Sequence, residues 1–228
     1  MRSSALQITL AAVILIGGIV LAAPSSSEEM KEVDGATTYA KNGTTYSVRH
    51  VFQSSCPIED LLAVCFEFKH LQKYYQESKV RLVESGPDWQ KMEYRTDYVI
   101  CSSTAVYMKT LKRPQKKVSF TLLSCRVSGL GIPSIMASSG DYTVTDDGKI
   151  RTLTYAQSVT LDRVISVLDW PLIKRKTKIF FGDFEEYVRQ QDQLSSQHKS
   201  TPVEEKADSS AKKLESSTPK LTSPDKNK

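Results

Sequence analysis

The residues able to do chemistry are few and scattered. His50, His70 and His198 fall on a predicted strand, a predicted short helix and a polar tail, so they do not form a metal set. The order and spacing of a Ser-His-Asp hydrolase, an HExxH zinc helix and a phosphate-binding glycine loop are all missing. No pair of carboxylates sits in apolar surroundings. Cys56, Cys65, Cys101 and Cys125 lack CxxC spacing, and an even number permits disulfides in any of three pairings. Cys56 and Cys65 fall near opposite ends of one short helix, about 13 Å apart, too far to join. Cys65 also reads as a plain buried thiol. What remains are tyrosines and one glutamine on strands: Tyr94, Tyr98, Tyr155 and Gln157. Such groups orient a greasy ligand rather than break bonds, and ordinary core packing is the competing role.

The elements that position them follow from periodicity. Residues 169–191 read DWPLIKRKTKIFFGDFEEYVRQQ, with Ile173, Phe180, Phe181, Phe184 and Val188 on one helical stripe. Pro171 belongs in its first turn and Asp169 caps it. Three phenylalanines on one stripe require a large concave partner. Upstream, Thr45 to Phe52 alternates as a strand with Tyr46, Val48, His50 and Phe52 on one face. His50 reads as a satisfied core or edge histidine, and His70, beside Lys69 and Gln72, as solvent-exposed. Pro57 then opens two short helices end to end, carrying Leu61, Leu62, Cys65 and Phe66, then Phe68, Leu71 and Tyr74. Six strands follow: 79–84, 89–98, 104–111, 117–125, 141–145 and 149–161. Met92, Tyr94 and Tyr98 share a face opposite Arg95 and Asp97, which reads as the outer surface. Asp146-Asp147-Gly148 is the strongest turn signal in the chain.

Hydrophobic content of 39% and charged content of 25% are those of a globular domain, and the formal charge of +5 is modest and interspersed. Two basic clusters stand out: Lys109, Lys112, Arg113, Lys116 and Lys117 around one turn, and Lys174, Arg175, Lys176 and Lys178 on the outer face of the long helix. A solvated face is the simple reading of both; an anionic membrane surface is the alternative. Without interleaved aromatics they do not make a nucleic-acid groove. Residues 1–23 read as a signal peptide or an uncleaved N-terminal anchor, from Arg2, the apolar Ala5–Val20 and Val20-Leu21-Ala22. Residues 24–43 read as a linker and 193–228 as a disordered polar tail, leaving one domain at 44–192. The expected location is therefore outside the cytoplasm, periplasmic or secreted. Asn42-Gly43-Thr44 is a glycosylation sequon that matters only in a eukaryotic cell.

This order of elements resembles the START-like superfamily (helix-grip fold), in its polyketide cyclase and coenzyme Q-binding-type branch. The resemblance is carried by SSCPIEDLLAVCFEFKHLQKYY, by the hairpin SGDYTVTDDGKIRTLTY, and by Pro171, Ile173 and the aromatic helix, over roughly 45–191. It implies an α+β domain: a seven-stranded curved antiparallel sheet around a long C-terminal helix, with two short helices after the first strand. An apolar cavity lies between sheet and helix. Met92, Tyr94, Tyr98, Phe120, Tyr155, Trp170, Phe180, Phe181 and Phe184 are then the candidate ligand-binding residues, with no metal and no cofactor. The same topology implies a Cys101–Cys125 disulfide. The expected function is monomeric binding or carriage of a lipid, isoprenoid or polyketide-like molecule. A cyclase or aromatase-type enzyme and a structural domain with a filled cavity stay open as alternatives.

Overall fold

The computed structural model describes residues 30–75, 78–97, 102–129, 133–148, 150–165 and 170–200. Among the described residues nine strands and three α-helices run in the order β1 (Met30–Asp34), β2 (Thr37–Asn42), β3 (Thr45–Ser54), α1 (Ile58–Phe66), α2 (Phe68–Tyr74), β4 (Lys79–Ser85), β5 (Trp89–Asp97), β6 (Ser102–Lys112), β7 (Lys117–Ser128), β8 (Ile135–Asp146), β9 (Arg151–Leu161) and α3 (Trp170–Ser200). The strands form a single sheet in the order β1-β2-β3-β9-β8-β7-β6-β5-β4, every pair antiparallel. The two short helices carry the chain from β3 to the far edge, and a meander then returns until β9 pairs with β3. Glu67, with extended backbone, separates α1 from α2.

The sheet has nine strands rather than seven because the stretch expected to be a linker is a folded hairpin. Asp34 pairs with Thr37 and Asn42 with Thr45, leaving the two-residue loops Gly35-Ala36 and Gly43-Thr44. Each glycine holds the left-handed conformation that such loops require, at φ 58° and 57°. Asp-Gly and Asn-Gly are the signal that identifies this hairpin in the sequence; the Ser- and Thr-rich composition around them obscures it. The other terminal boundary moves too: α3 runs on to Ser200, past the expected start of the tail at 193. The signal or anchor segment 1–23, Asp169 and residues 201–228 lie outside the described residues.

One face of the sheet is buried over its central strands, which alternate accordingly. In β6, Ser103, Ala105, Tyr107, Lys109 and Leu111 point inward; in β9, Leu153, Tyr155, Gln157, Val159 and Leu161 do. Three register shifts interrupt the ladders: at Leu82/Glu84, between Val106 and Tyr107 opposite Ser124 and Leu122, and at Ile135/Ala137. The residues left over are Val83, Leu123 and Met136. All three are exposed. A bulge turns its extra side chain out of the pairing and bends the strand, which accounts for three of the large apolar residues on the surface without assigning them a partner.

Phe181 and Phe184 of α3 are 2% and 0% exposed and sit against this face. The N-terminal hairpin covers the start of the same helix. Tyr39 is buried edge-on to Trp170, ring centroids 5.9 Å apart. Lys174 Nζ donates to Glu32 Oε1 at 2.6 Å, and the Trp170 indole N–H donates to Glu32 Oε2 at 3.4 Å. Lys178 approaches Asp34 at 4.0 Å, and Lys176 is buried. The basic cluster of the helix is therefore split: Lys174 reaches the hairpin and Lys176 the interior, while Arg175 and Lys178 stay on the exposed face. Truncation of a buried aromatic leaves a cavity, so Tyr39→Ala is expected to cost about 3 kcal/mol in urea unfolding, because β1–β2 is structure and not linker.

Candidate ligand-binding site

The cavity between sheet and α3 is small, about 50 Å³. Its walls come from five strands and two helices. β5 and β6 contribute Tyr94, Tyr107 and Lys109; β7 and β8 contribute Phe120 and Tyr142. β9 adds Tyr155 and Gln157, α2 and its end add Leu71 and Tyr75, and α3 adds Phe180. Of the candidates named from sequence, Tyr94, Phe120, Tyr155 and Phe180 line this space. Met92, Phe181 and Phe184 are core residues outside its lining. Trp170 packs instead on Tyr39 and Tyr46, and Tyr98 lies outside the described residues.

The rings pack edge to face around the space. Tyr94 meets Tyr75 at 5.3 Å and Tyr107 at 5.6 Å, while Tyr142 meets Tyr155 at 4.9 Å. Such contacts hold each ring in place beyond its burial alone. Gly140 makes room for one of them. A Cβ there would collide with the Ala156 carbonyl oxygen and lie 2.5 Å from Phe120 Cζ. The Tyr155 hydroxyl donates to Gln157 Oε1 at 2.6 Å, and Gln157 Nε2 donates to Ser138 Oγ at 3.0 Å, so the amide is fully oriented. Burial holds the phenols of Tyr94, Tyr142 and Tyr155 well above their ordinary range, which keeps them protonated.

The residue the sequence reading misplaced is Lys109. Grouped there with a surface cluster, it is 4% exposed and lines the cavity. Its Nζ donates to the Cys65 carbonyl at 2.8 Å, in the last turn of α1, and lies 5.9 Å from the Tyr142 ring centroid. A cation at the carbonyl end of a helix is favourably placed. Among the described residues no carboxylate pairs with it, and burial lowers its pKa to about 8. Its parity with Ala105, Tyr107 and Leu111 on β6 was the available signal. Length and charge pulled the assignment to the surface; alternation pointed inward. The rest of that cluster is interrupted as well, Lys117 pairing with Asp141 at 2.9 Å and Arg113 with Asp88 at 3.9 Å.

His50 is 5% exposed, as a core histidine should be, and both ring nitrogens are used. Nδ1 meets Thr37 Oγ1 at 2.8 Å, Nε2 meets Glu185 Oε1 at 2.8 Å, and the ring stacks on Phe181 at 3.9 Å. This links β2, β3 and α3, away from the cavity lining. His70 is not the exposed residue expected. It is half-buried, with Nδ1 at 2.8 Å from the Tyr187 hydroxyl, and it ties α2 to α3. Arg95 and Asp97 do lie on the outer surface, paired with one another at 3.0 Å.

Cys56 and Cys65 are buried free thiols, each pushed up to about 12 by burial. Cys125 is also free and half-buried, opposite Ala105. Cys101 lies outside the described residues. The Cys101–Cys125 pairing that the resemblance implies therefore lies in part outside the described residues.

The sequence matches no protein-family model and no curated protein. Solved structures do match. The aromatase/cyclase ZhuI from Streptomyces sp. R1128 superposes with a TM-score of 0.51 at 11% identity, over 67% of this chain and 96% of that one. A STAR-related lipid transfer protein from Xanthomonas axonopodis gives 0.51 at 12% identity, over 72% and 98%. The chain has the START-like helix-grip fold.

Two pH effects follow. A buried lysine with a lowered pKa destabilises the fold fully below about 8 and not at all above 10.5. Lys109→Met is therefore expected to be more stable than the parent by about 1–3 kcal/mol at pH 7, an advantage that shrinks in chemical denaturation as pH rises from 8 to 10.5. Burial also lowers the pKa of His50 below 6.5, with Glu185 opposing. Its contribution to stability is complete above 6.5 and lost as pH falls through the folded pKa. Melting curves of His50→Gln should lose that part of the acid-side slope.

Proposed function

We propose that this chain binds a hydrophobic small molecule between the sheet and α3, in a compartment outside the cytoplasm. The observation that carries the reading is the composition of the cavity wall. Aromatic faces enclose a few oriented polar groups, Lys109, Gln157 and the tyrosine hydroxyls, which is how sites for apolar ligands are built. The fold supports it, since one matched structure is a lipid transfer protein and another an aromatase/cyclase. The apolar N-terminal stretch supports export.

A cavity of about 50 Å³ holds a few waters, whereas ligand-sized sites run to about 300 Å³ and more. Binding therefore requires the wall to part. Tyr75 and Tyr94 are its half-buried members, at the end of α2 and on β5, and their edge-to-face contact is the one to open. The ligand would be a lipid, isoprenoid or polyketide-like molecule.

The same small volume favours a second reading, a structural or interaction domain whose cavity is filled by its own side chains. Native mass spectrometry of the protein isolated from its own host, with titration by the fluorescent neutral ester methyl parinarate, separates the two. Saturable binding of one ester per chain, or a co-purified apolar molecule, is expected on the first reading. A ligand-free protein that leaves the ester in water establishes the second.

A further inference from the structure

We propose that the ligand of this cavity is acidic: an apolar body ending in a carboxylate, held by Lys109 with Tyr107 beside it. The inference rests on the cavity being a ligand site and specifies what that site selects. Its first support is an imbalance of charge. The cavity wall holds an ammonium and no carboxylate, and among the described residues none pairs with Lys109. The Cys65 carbonyl accepts one of three N–H groups. A carbonyl dipole and an aromatic face soften the cost of a buried cation, but neither neutralises it.

The second support is independent of charge. The Tyr107 hydroxyl is buried in the same wall and makes no hydrogen bond of normal geometry. Two positions apart on β6, Tyr107 and Lys109 point to the same face, their Cα atoms about 7 Å apart. The Ser138 hydroxyl beside Tyr107 already accepts from Gln157, so a phenol short of an acceptor stands next to a cation without an anion. One carboxylate answers both, an oxygen to each. A neutral ligand would leave the ammonium uncompensated, and a cationic one would be repelled. The remaining wall, Phe120, Tyr142 and Phe180, suits the apolar body.

Parinaric acid and its methyl ester share one polyene body and differ in the head group, so their relative affinities test the idea. The wild-type protein should bind the acid at least tenfold more tightly than the ester at pH 7, as expected of a charge-assisted hydrogen bond out of water. In Lys109→Met the ratio of acid to ester affinity should fall to about one. In Tyr107→Phe the preference should fall a few-fold. Equal affinity of the wild type for acid and ester overturns the acidic-ligand proposal and leaves the hydrophobic site standing. A preference that survives in Lys109→Met also overturns it, and confines Lys109 to holding the end of α1. Failure of both probes to bind at all counts against the site itself. The wild-type comparison needs no folded variant.

Discussion

The fold depends on one helix being held against one face of a sheet. Phe181 and Phe184 are the residues that cannot be exposed; each is almost fully buried, and Phe181 lies flat on His50. The contact is specific because His50 is itself fixed, by Thr37 on one side and Glu185 on the other. An apolar stripe alone would permit α3 to slide or rotate. A histidine bonded at both nitrogens and stacked on the next phenylalanine sets its position along the sheet. β2 supplies the threonine, which ties the N-terminal hairpin to the same arrangement.

Much of this was legible in the residues. The stripe of α3, the kinked pair of helices after Pro57 and the Asp-Asp-Gly hairpin are strong local signals, and the structure has all three. The N-terminal hairpin was hidden by composition: serine, glutamate and threonine resemble a linker until Asp34-Gly35 and Asn42-Gly43 are read as turns. The site was less legible than the fold. Strand parity identifies which residues face inward, but not which of them border empty space. Met92 and Tyr94 show this: the methionine is sealed in the core while the tyrosine borders the cavity. Trp170, apolar and on the right helix, belongs to a different contact because β1 and β2 cover that end. Lys109 was lost for the opposite reason, as general expectation about lysine outweighed the alternation of its own strand.

Cavity and core here are not separate structures. Tyr142 touches Phe184 of the core on one side and borders the cavity on the other, and Tyr155 does the same through Phe181. A molecule entering between sheet and helix presses on the rings that hold α3 in place. Ligand affinity and helix docking are thus drawn from one set of contacts, and a cavity this tight links occupancy to the packing of the long helix.

The pairing of β3 with β9 has a consequence for how the chain is made. Thr45 and Thr160 face one another across 115 residues of sequence. The first three strands are complete early in synthesis, yet one edge of β3 has no neighbour until β9 has been made. For most of that time the chain carries a bare strand edge with Tyr46, Val48 and His50 uncovered, because α3 comes later still. Structures closed by such distant pairings fold slowly and expose aggregation-prone edges while they wait. The order of synthesis thus leaves the earliest part of this sheet the longest unprotected, and its closing helix arrives last.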